Sequence, residues 1–133
     1  MGGLVGQMAL LMYVAVGGAT GSIFRYLVTA WIGRVAGRDF PYGTLAVNLL
    51  GSFLLGIMIG VIVTLLPRGR ELHLLVAVGF LGGFTTFSAF SLDLYLLLER
   101  GQFLYAAAYA TASVGLSVML FFLGMWIFRS LAW

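Results

Sequence analysis

Apolar residues dominate the chain in four long runs that are separated by short polar stretches. The runs extend roughly over residues 8–32, 43–66, 72–98 and 103–128. A helix that spans a bilayer needs about 20 predominantly apolar residues, and each run reaches that length. The strands of a membrane β-barrel would instead alternate in hydrophobicity over about ten residues. The pattern therefore predicts an all-α membrane protein with four transmembrane helices per subunit, in a single domain over residues 1–133.

The connections between the runs are too short to form extramembrane domains. Pro41 and Pro67 lie in the first two connections, where proline favours the end or the start of a helix. We therefore expect the four helices to pack as one compact bundle.

The third run contains a segment of poor helix formers at its centre. Residues 79–91 read GFLGGFTTFSAFS; glycine is a weak helix former and threonine is stiff at χ1. A break here would free backbone carbonyls at membrane depth, which requires protein, water or an ion to satisfy them. Carbonyl oxygens suit a bare alkali cation, and the N-terminus of a half-helix favours an anion. The alternative is a continuous helix whose small residues allow close packing.

Composition and charge exclude several classes of function. The chain is 62% hydrophobic and 8% charged, whereas soluble domains are about a quarter charged. It has no cysteine and one histidine, which excludes thiolate chemistry and a multi-histidine metal site within one subunit. No grouping of serine, histidine and acid indicates an enzyme. The arginines are scattered, whereas a nucleic-acid surface needs a clustered basic patch.

The loop arginines divide equally between the two sides of the membrane. Insertion follows the excess of arginine and lysine in short loops, and three minus three leaves no excess. Equal numbers predict that both orientations occur and that two copies pair as an antiparallel, dual-topology homodimer; the alternative is one fixed topology. The arginines of one side are Arg68, Arg70 and Arg129, and those of the other are Arg34, Arg38 and Arg100.

Neutral polar residues recur at helical spacing on two of the predicted helices. Their O–H and N–H groups offer donors without a fixed negative charge, which suits an anion that loses its water. The alternative is hydrogen bonding between helices, worth about 1 kcal/mol or less per contact. The two stripes are Thr44, Asn48 and Ser52 on the second helix, and Tyr109, Ser113 and Ser117 on the fourth.

Aromatic residues and one arginine complete the candidate chemistry. Phe84, Phe87 and Phe90 recur at every third position, and the positive edge of an aromatic ring can contact an anion. This spacing is also typical of simple packing. Arg25 lies well inside the first run, where it either snorkels to the interface or faces an aqueous vestibule. We favour the vestibule, since an arginine at this depth is costly against lipid.

Three stretches of the chain together resemble the Fluc/CrcB fluoride-channel family, and the resemblance covers essentially the whole length. They are 17-GGATGSIFRY-26, 42-YGTLAVNLLGSFLLG-56 and 79-GFLGGFTTFSAFS-91. The resemblance implies dual-topology homodimers of four-helix subunits, in which the third helix is broken at its centre. It also implies two fluoride pathways lined by both subunits, and a sodium ion at the dimer centre held by backbone carbonyls.

Carried over residue by residue, the resemblance assigns candidate sites in this chain. It implies that the carbonyls of Gly82 and Thr85 hold the sodium ion and that Arg25 lies near the vestibule. One position departs from the family, because the common motif GGxTTFSTF here has Ala89 in place of its last threonine. The polar pathway therefore lacks one hydroxyl. The residues implied for the fluoride pathway are Asn48, Phe87, Ser88, Phe90, Tyr109 and Ser113.

We therefore expect a passive, fluoride-selective channel that exports fluoride across a bacterial cytoplasmic (inner) membrane. Its partners would be fluoride, membrane lipid and a second copy of the chain, and no nucleic acid. One alternative is a small proton-coupled multidrug exporter, which would need a glutamate in the first helix, where this chain has Arg25. Another is a non-transporting assembly subunit of the membrane, which would show no ion flux.

Overall fold

The computed structural model describes residues 3–65 and 69–132, in which five helices follow one another. The third of these, α3, is composite: an α-helical turn, a π-helical stretch and a second α-helical turn follow without a break. The helices are α1 (Leu4–Ala36), α2 (Tyr42–Leu65), α3 (residues 70–84), α4 (Phe87–Glu99) and α5 (Phe103–Leu131).

Four spans are long and apolar enough to cross a membrane, as the hydrophobic pattern predicts. They are Leu4–Ala36, Tyr42–Thr64, Arg70–Glu99 and Phe103–Leu131, with α3 and α4 forming the third. The first helix extends four residues beyond the predicted run at each end, since a polar residue does not by itself end a helix. It ends where Gly37 adopts a positive φ of 88°. Three residues that entered the sequence predictions, Leu66, Pro67 and Arg68, lie outside the described residues.

The third span is broken at its centre, which confirms that prediction. Thr85 and Thr86 are extended, with φ/ψ of −85°/158° and −155°/125°, and they separate α3 from α4. Before the break, His73–Leu81 is π-helical: the Gly82 N–H donates to the Ala77 carbonyl, five residues earlier. Such widened turns are rare and occur often near functional sites.

The first half of the span packs directly on the backbone of α1. A Cβ added to Gly17 would lie 2.8 Å from the Phe80 nitrogen, and one added to Gly79 would lie 2.9 Å from the Gly17 Cα. Only glycine allows this approach, because any side chain would collide with the facing backbone. A similar contact joins α2 and α5, where a Cβ on Gly124 would lie 3.1 Å from the Ile57 nitrogen.

The buried core that positions the site lies between α4 and α5, beside α2. Phe90, Leu97, Ala106 and Tyr109 form one cluster of buried side chains. Val47 of α2 and Tyr109 of α5 are fully buried. The core therefore adjoins the helix break on one side.

Candidate ion pathway

A cavity of about 300 Å³ lies at the helix break, between α2, α4 and α5. It brings together four of the residues that the sequence assigns to the fluoride pathway, and it adds neighbours that the assignment omits. Two phenylalanine rings, two valines and six polar residues line it. These are Phe87, Phe90, Val114, Val118, Asn48, Ser52, Thr85, Thr86, Ser113 and Ser117.

Two serine hydroxyls of α5 are free to act as donors at this cavity. Ser113 is 6% exposed. The Oγ atoms of Ser113 and Ser117 are buried and have no hydrogen-bond partner among the described residues. A buried hydroxyl without a partner is unfavourable by about 1–3 kcal/mol, so a ligand that accepts from it recovers that cost. Ser117 was missing from the assigned pathway, although it continues the stripe of Tyr109 and Ser113 by one turn.

Asn48 forms a two-point contact with the backbone of the break. Its Nδ2 donates to the Thr86 carbonyl at 2.9 Å, and its Oδ1 accepts from the Thr86 N–H at 2.7 Å. An asparagine amide has two N–H donors, so one donor remains for the cavity that Asn48 lines. The sequence predicts a polar role for Asn48 but not this contact, which joins residues 38 positions apart.

Thr86 lies at the site but is absent from the residues that the sequence assigns to it. It is buried, and its Oγ1 accepts from the Ala89 N–H at 3.1 Å. It therefore acts as the N-cap of α4, the position where threonine satisfies a free helix donor. The sequence contains a signal for this cap, because a threonine that caps a helix accepts from an N–H two or three residues later, and Ala89 follows Thr86 by three.

The backbone oxygens of Gly82 and Thr85 lose the donors that a continuous helix would provide. In an α-helix each carbonyl accepts from the N–H four residues later, here those of Thr86 and Ala89. The first of these donates instead to Asn48 Oδ1, and the second to Thr86 Oγ1. The two carbonyls that the resemblance assigns to sodium are thus the ones whose usual helical donors are bound to side chains instead.

The aromatic rings at the cavity differ strongly in burial. The centroids of Phe87 and Phe90 lie 5.1 Å apart, and those of Phe90 and Tyr109 lie 5.2 Å apart. Phe90 is 7% exposed, whereas Phe87 is 74% exposed. Phe90 therefore belongs to the subunit core, and Phe87 lies mostly on the surface of the subunit.

Tyr109 connects this core with the only carboxylate well inside the third run. Its hydroxyl donates to Asp93 Oδ2 at 3.1 Å. Asp93 also lines a cavity of about 230 Å³ at the ends of α1 and α4. Arg38, Arg100 and Thr44 line this cavity as well. Its position on α4 gave no indication of this contact, because Tyr109 is on another helix.

Arg25 lies at a second cavity, of about 260 Å³, on the other side of Thr86. The Nε of Arg25 is buried and has no hydrogen-bond partner within the described residues. Thr44 and Thr86 also line this cavity. Thr86 also borders the cavity at the helix break, and Thr44 also borders the cavity that Asp93 lines. The three cavities thus form a series in which neighbours share a threonine.

Ala89 and Ser88 occupy different places from those that the linear motif suggests. Ala89 lines the cavity that Arg25 also lines and does not line the cavity at the helix break. Ser88 is exposed, and its Oγ lies 3.2 Å from the Oγ1 of Thr86. Ser88 does not line either of the two cavities that Thr86 borders.

Comparison with known proteins gives a consistent result. Residues 12–125 match the family described as CrcB-like protein, Camphor Resistance (CrcB). A protein from Rhizobium etli is 49% identical over 124 residues, which covers 93% of this chain and 99% of that protein. A protein from Hahella chejuensis is 54% identical over 104 residues, which covers 78% of this chain and 82% of its own length. Both of these relatives are named fluoride-specific ion channel FluC.

Proposed function

The chain belongs to the family of CrcB-like proteins, and we propose that it is a fluoride-specific ion channel. The observation that carries this proposal is the identity of about half of all aligned residues with FluC channels, along nearly the whole chain. Homologues of this family are channels and not enzymes, and the four apolar spans identify a multi-pass membrane protein.

Fluoride would exchange its water for donors in the cavity at the helix break. The free hydroxyls of Ser113 and Ser117 and the second N–H of Asn48 supply these donors. The edges of Phe87 and Phe90 add weak positive potential without a fixed charge. Tyr109 borders this site through Phe90, Ser88 contacts it through Thr86, and Arg25 attracts the anion to the neighbouring cavity. A neutral lining permits both entry and departure, which conduction requires.

A sodium ion is the proposed structural cofactor, held by the carbonyls of Gly82 and Thr85. The diversion of their helical donors to Asn48 and Thr86 supports this assignment. When bound, sodium would supply positive charge that satisfies carbonyls at membrane depth. Each subunit offers two such oxygens, fewer than an alkali cation needs, so a second copy would complete the site.

The functional unit proposed is an antiparallel homodimer with dual topology. The exposure of Phe87 supports it, since the residue is 74% exposed on the single subunit although it lines the cavity. A second copy would cover Phe87 and close the cavity toward lipid. Two copies would then provide two pathways.

The proposed location is the bacterial cytoplasmic membrane, where the channel would let fluoride leave the cell passively and so reduce its toxicity. Transport would need no coupling to protons. A multidrug exporter would need a membrane-embedded carboxylate in the first helix, where the chain has Arg25.

Fluoride efflux from proteoliposomes, recorded with a fluoride electrode, tests the function. We expect rapid efflux of fluoride and none of chloride under the same gradient. Equal rates for both anions, or efflux of neither, would contradict the proposal. Efflux that requires a proton gradient would instead favour the exporter.

A further inference from the structure

Two side chains, those of Asn48 and Thr86, accept the backbone N–H groups at the helix break. We propose that Asn48 and Thr86 are positioning residues for a cation. Their side chains accept the N–H groups that would otherwise donate to the carbonyls of Gly82 and Thr85, and so leave those two carbonyl oxygens to the ion. The inference rests on the sodium site proposed above. It adds that Asn48 connects that site to the anion cavity, since the same amide serves both.

The contact of Asn48 supports this role because it uses both functions of the amide. Oδ1 takes the Thr86 N–H that would otherwise return to Gly82, and Nδ2 holds the Thr86 carbonyl. Together the two bonds mimic the pairing of a neighbouring strand and keep Thr86 extended. A residue that only contacted the anion would not need the Oδ1 bond at all.

Thr86 acts on the second carbonyl in the same way. Its Oγ1 takes the Ala89 N–H, the helical donor of the Thr85 carbonyl, at 3.1 Å. Asn48 holds the backbone of Thr86, and the side chain of Thr86 caps α4. The hydrogen bonds that Asn48 and Thr86 form with the two N–H groups therefore depend on each other. Loss of either should therefore weaken cation binding.

The first test compares two residues of the same cavity. The melting temperature of the purified protein would be measured in sodium and in N-methyl-D-glucamine, and fluoride efflux in liposomes. We expect Asn48→Ala to lose most of the sodium-dependent rise in melting temperature together with fluoride efflux. Ser113→Ala, which has no bond to the break, should lose efflux but keep the rise. An unchanged rise in Asn48→Ala would overturn the positioning role.

A conservative pair at Thr86 provides the second test. Thr86→Ser keeps a hydroxyl at the N-cap and should keep the sodium-dependent rise. Thr86→Val has nearly the same shape but no acceptor for the Ala89 N–H, and most of the rise should disappear. Equal rises in the two variants would contradict the role of the Thr86 hydroxyl.

The wild-type protein decides the matter if the variants do not fold. Because binding linkage is reciprocal, sodium must stabilise the arrangement that creates its site. Hydrogen exchange of the amides at residues 86–89 should therefore slow in sodium, more than that of α5. A rise in melting temperature without slower exchange there would overturn the inference. No rise in the wild type would instead reject the sodium site itself, whereas fluoride efflux tests the channel separately.

Discussion

The two halves of the third span are consecutive in the chain but are packed in different ways. The first half, α3, contacts α1 backbone to backbone through glycines, and its rings Phe80 and Phe84 stack with centroids 6.0 Å apart. The second half, α4, is capped by the side chain of Thr86 and packs on α5 through contacts such as that of Phe90 with Tyr109. The first half fixes the position of the break, and the second presents the rings.

This difference shows how a helix break at membrane depth is made stable. Glycine contacts bring the α3 backbone against α1. The π-helical turns of α3 change which of its residues face α1, compared with an α-helix of the same sequence. The break itself is then satisfied by side chains, Asn48 and Thr86, in place of water. Close packing and local hydrogen bonds therefore do separate tasks within one span.

The largest expected effect comes from disrupting the glycine contact of α3. In Gly17→Ala the new Cβ would meet the Leu75 carbonyl and the Phe80 nitrogen, the latter at 2.8 Å, so the helices must separate. We expect destabilisation of about 1–3 kcal/mol, as for other overpacked contacts. Thermal denaturation in detergent measures it.

Gly18→Ala is the matched control for this substitution. Its Cβ would lie 4.0 Å from the Gly79 carbonyl, an ordinary contact, and alanine favours helix over glycine by about 1 kcal/mol. We therefore expect an unchanged or higher melting temperature. Equal losses in the two variants would show that the contact is less specific than the geometry indicates.

The next largest effect should separate the two rings of α4. Phe90→Leu and Phe87→Leu should each reduce fluoride efflux by about tenfold, equivalent to about 1.4 kcal/mol in the barrier. Phe90→Leu should also lower the melting temperature more than Phe87→Leu does, because within the subunit Phe90 is 7% exposed and Phe87 is 74% exposed. Efflux and melting temperature, measured on both variants, check this. Unchanged efflux in both would reject the role of the ring edges.

The smallest effect is expected at Ala89, which lines the same cavity as Arg25. Ala89→Thr would add a hydroxyl to the cavity of about 260 Å³ that Arg25 and Thr86 line. We expect fluoride efflux to change by about twofold, the equivalent of about 0.4 kcal/mol in the barrier, with little change in stability. A loss comparable with that of Phe90→Leu would show that Ala89 is required.

Hydrophobic runs and local propensities alone predict the four spans and the polar stripes of α2 and α5, and they mark residues 79–91 as a segment that either breaks or stays helical. The family resemblance implies the break. The spans and the stripes depend on residues a few positions apart along one helix. They also identify Asn48 and Ser113 as polar positions of interest, because the spacing of four places each on a stripe.

Only the tertiary structure decides which groups meet across the bundle. It pairs Asn48 with the Thr86 backbone, turns Ala89 toward the cavity of Arg25 and leaves Ser88 exposed. It also widens the helix before the break into π-helical turns. The periodicity of one helix defines its own faces, but the partner of each face depends on how all the helices pack.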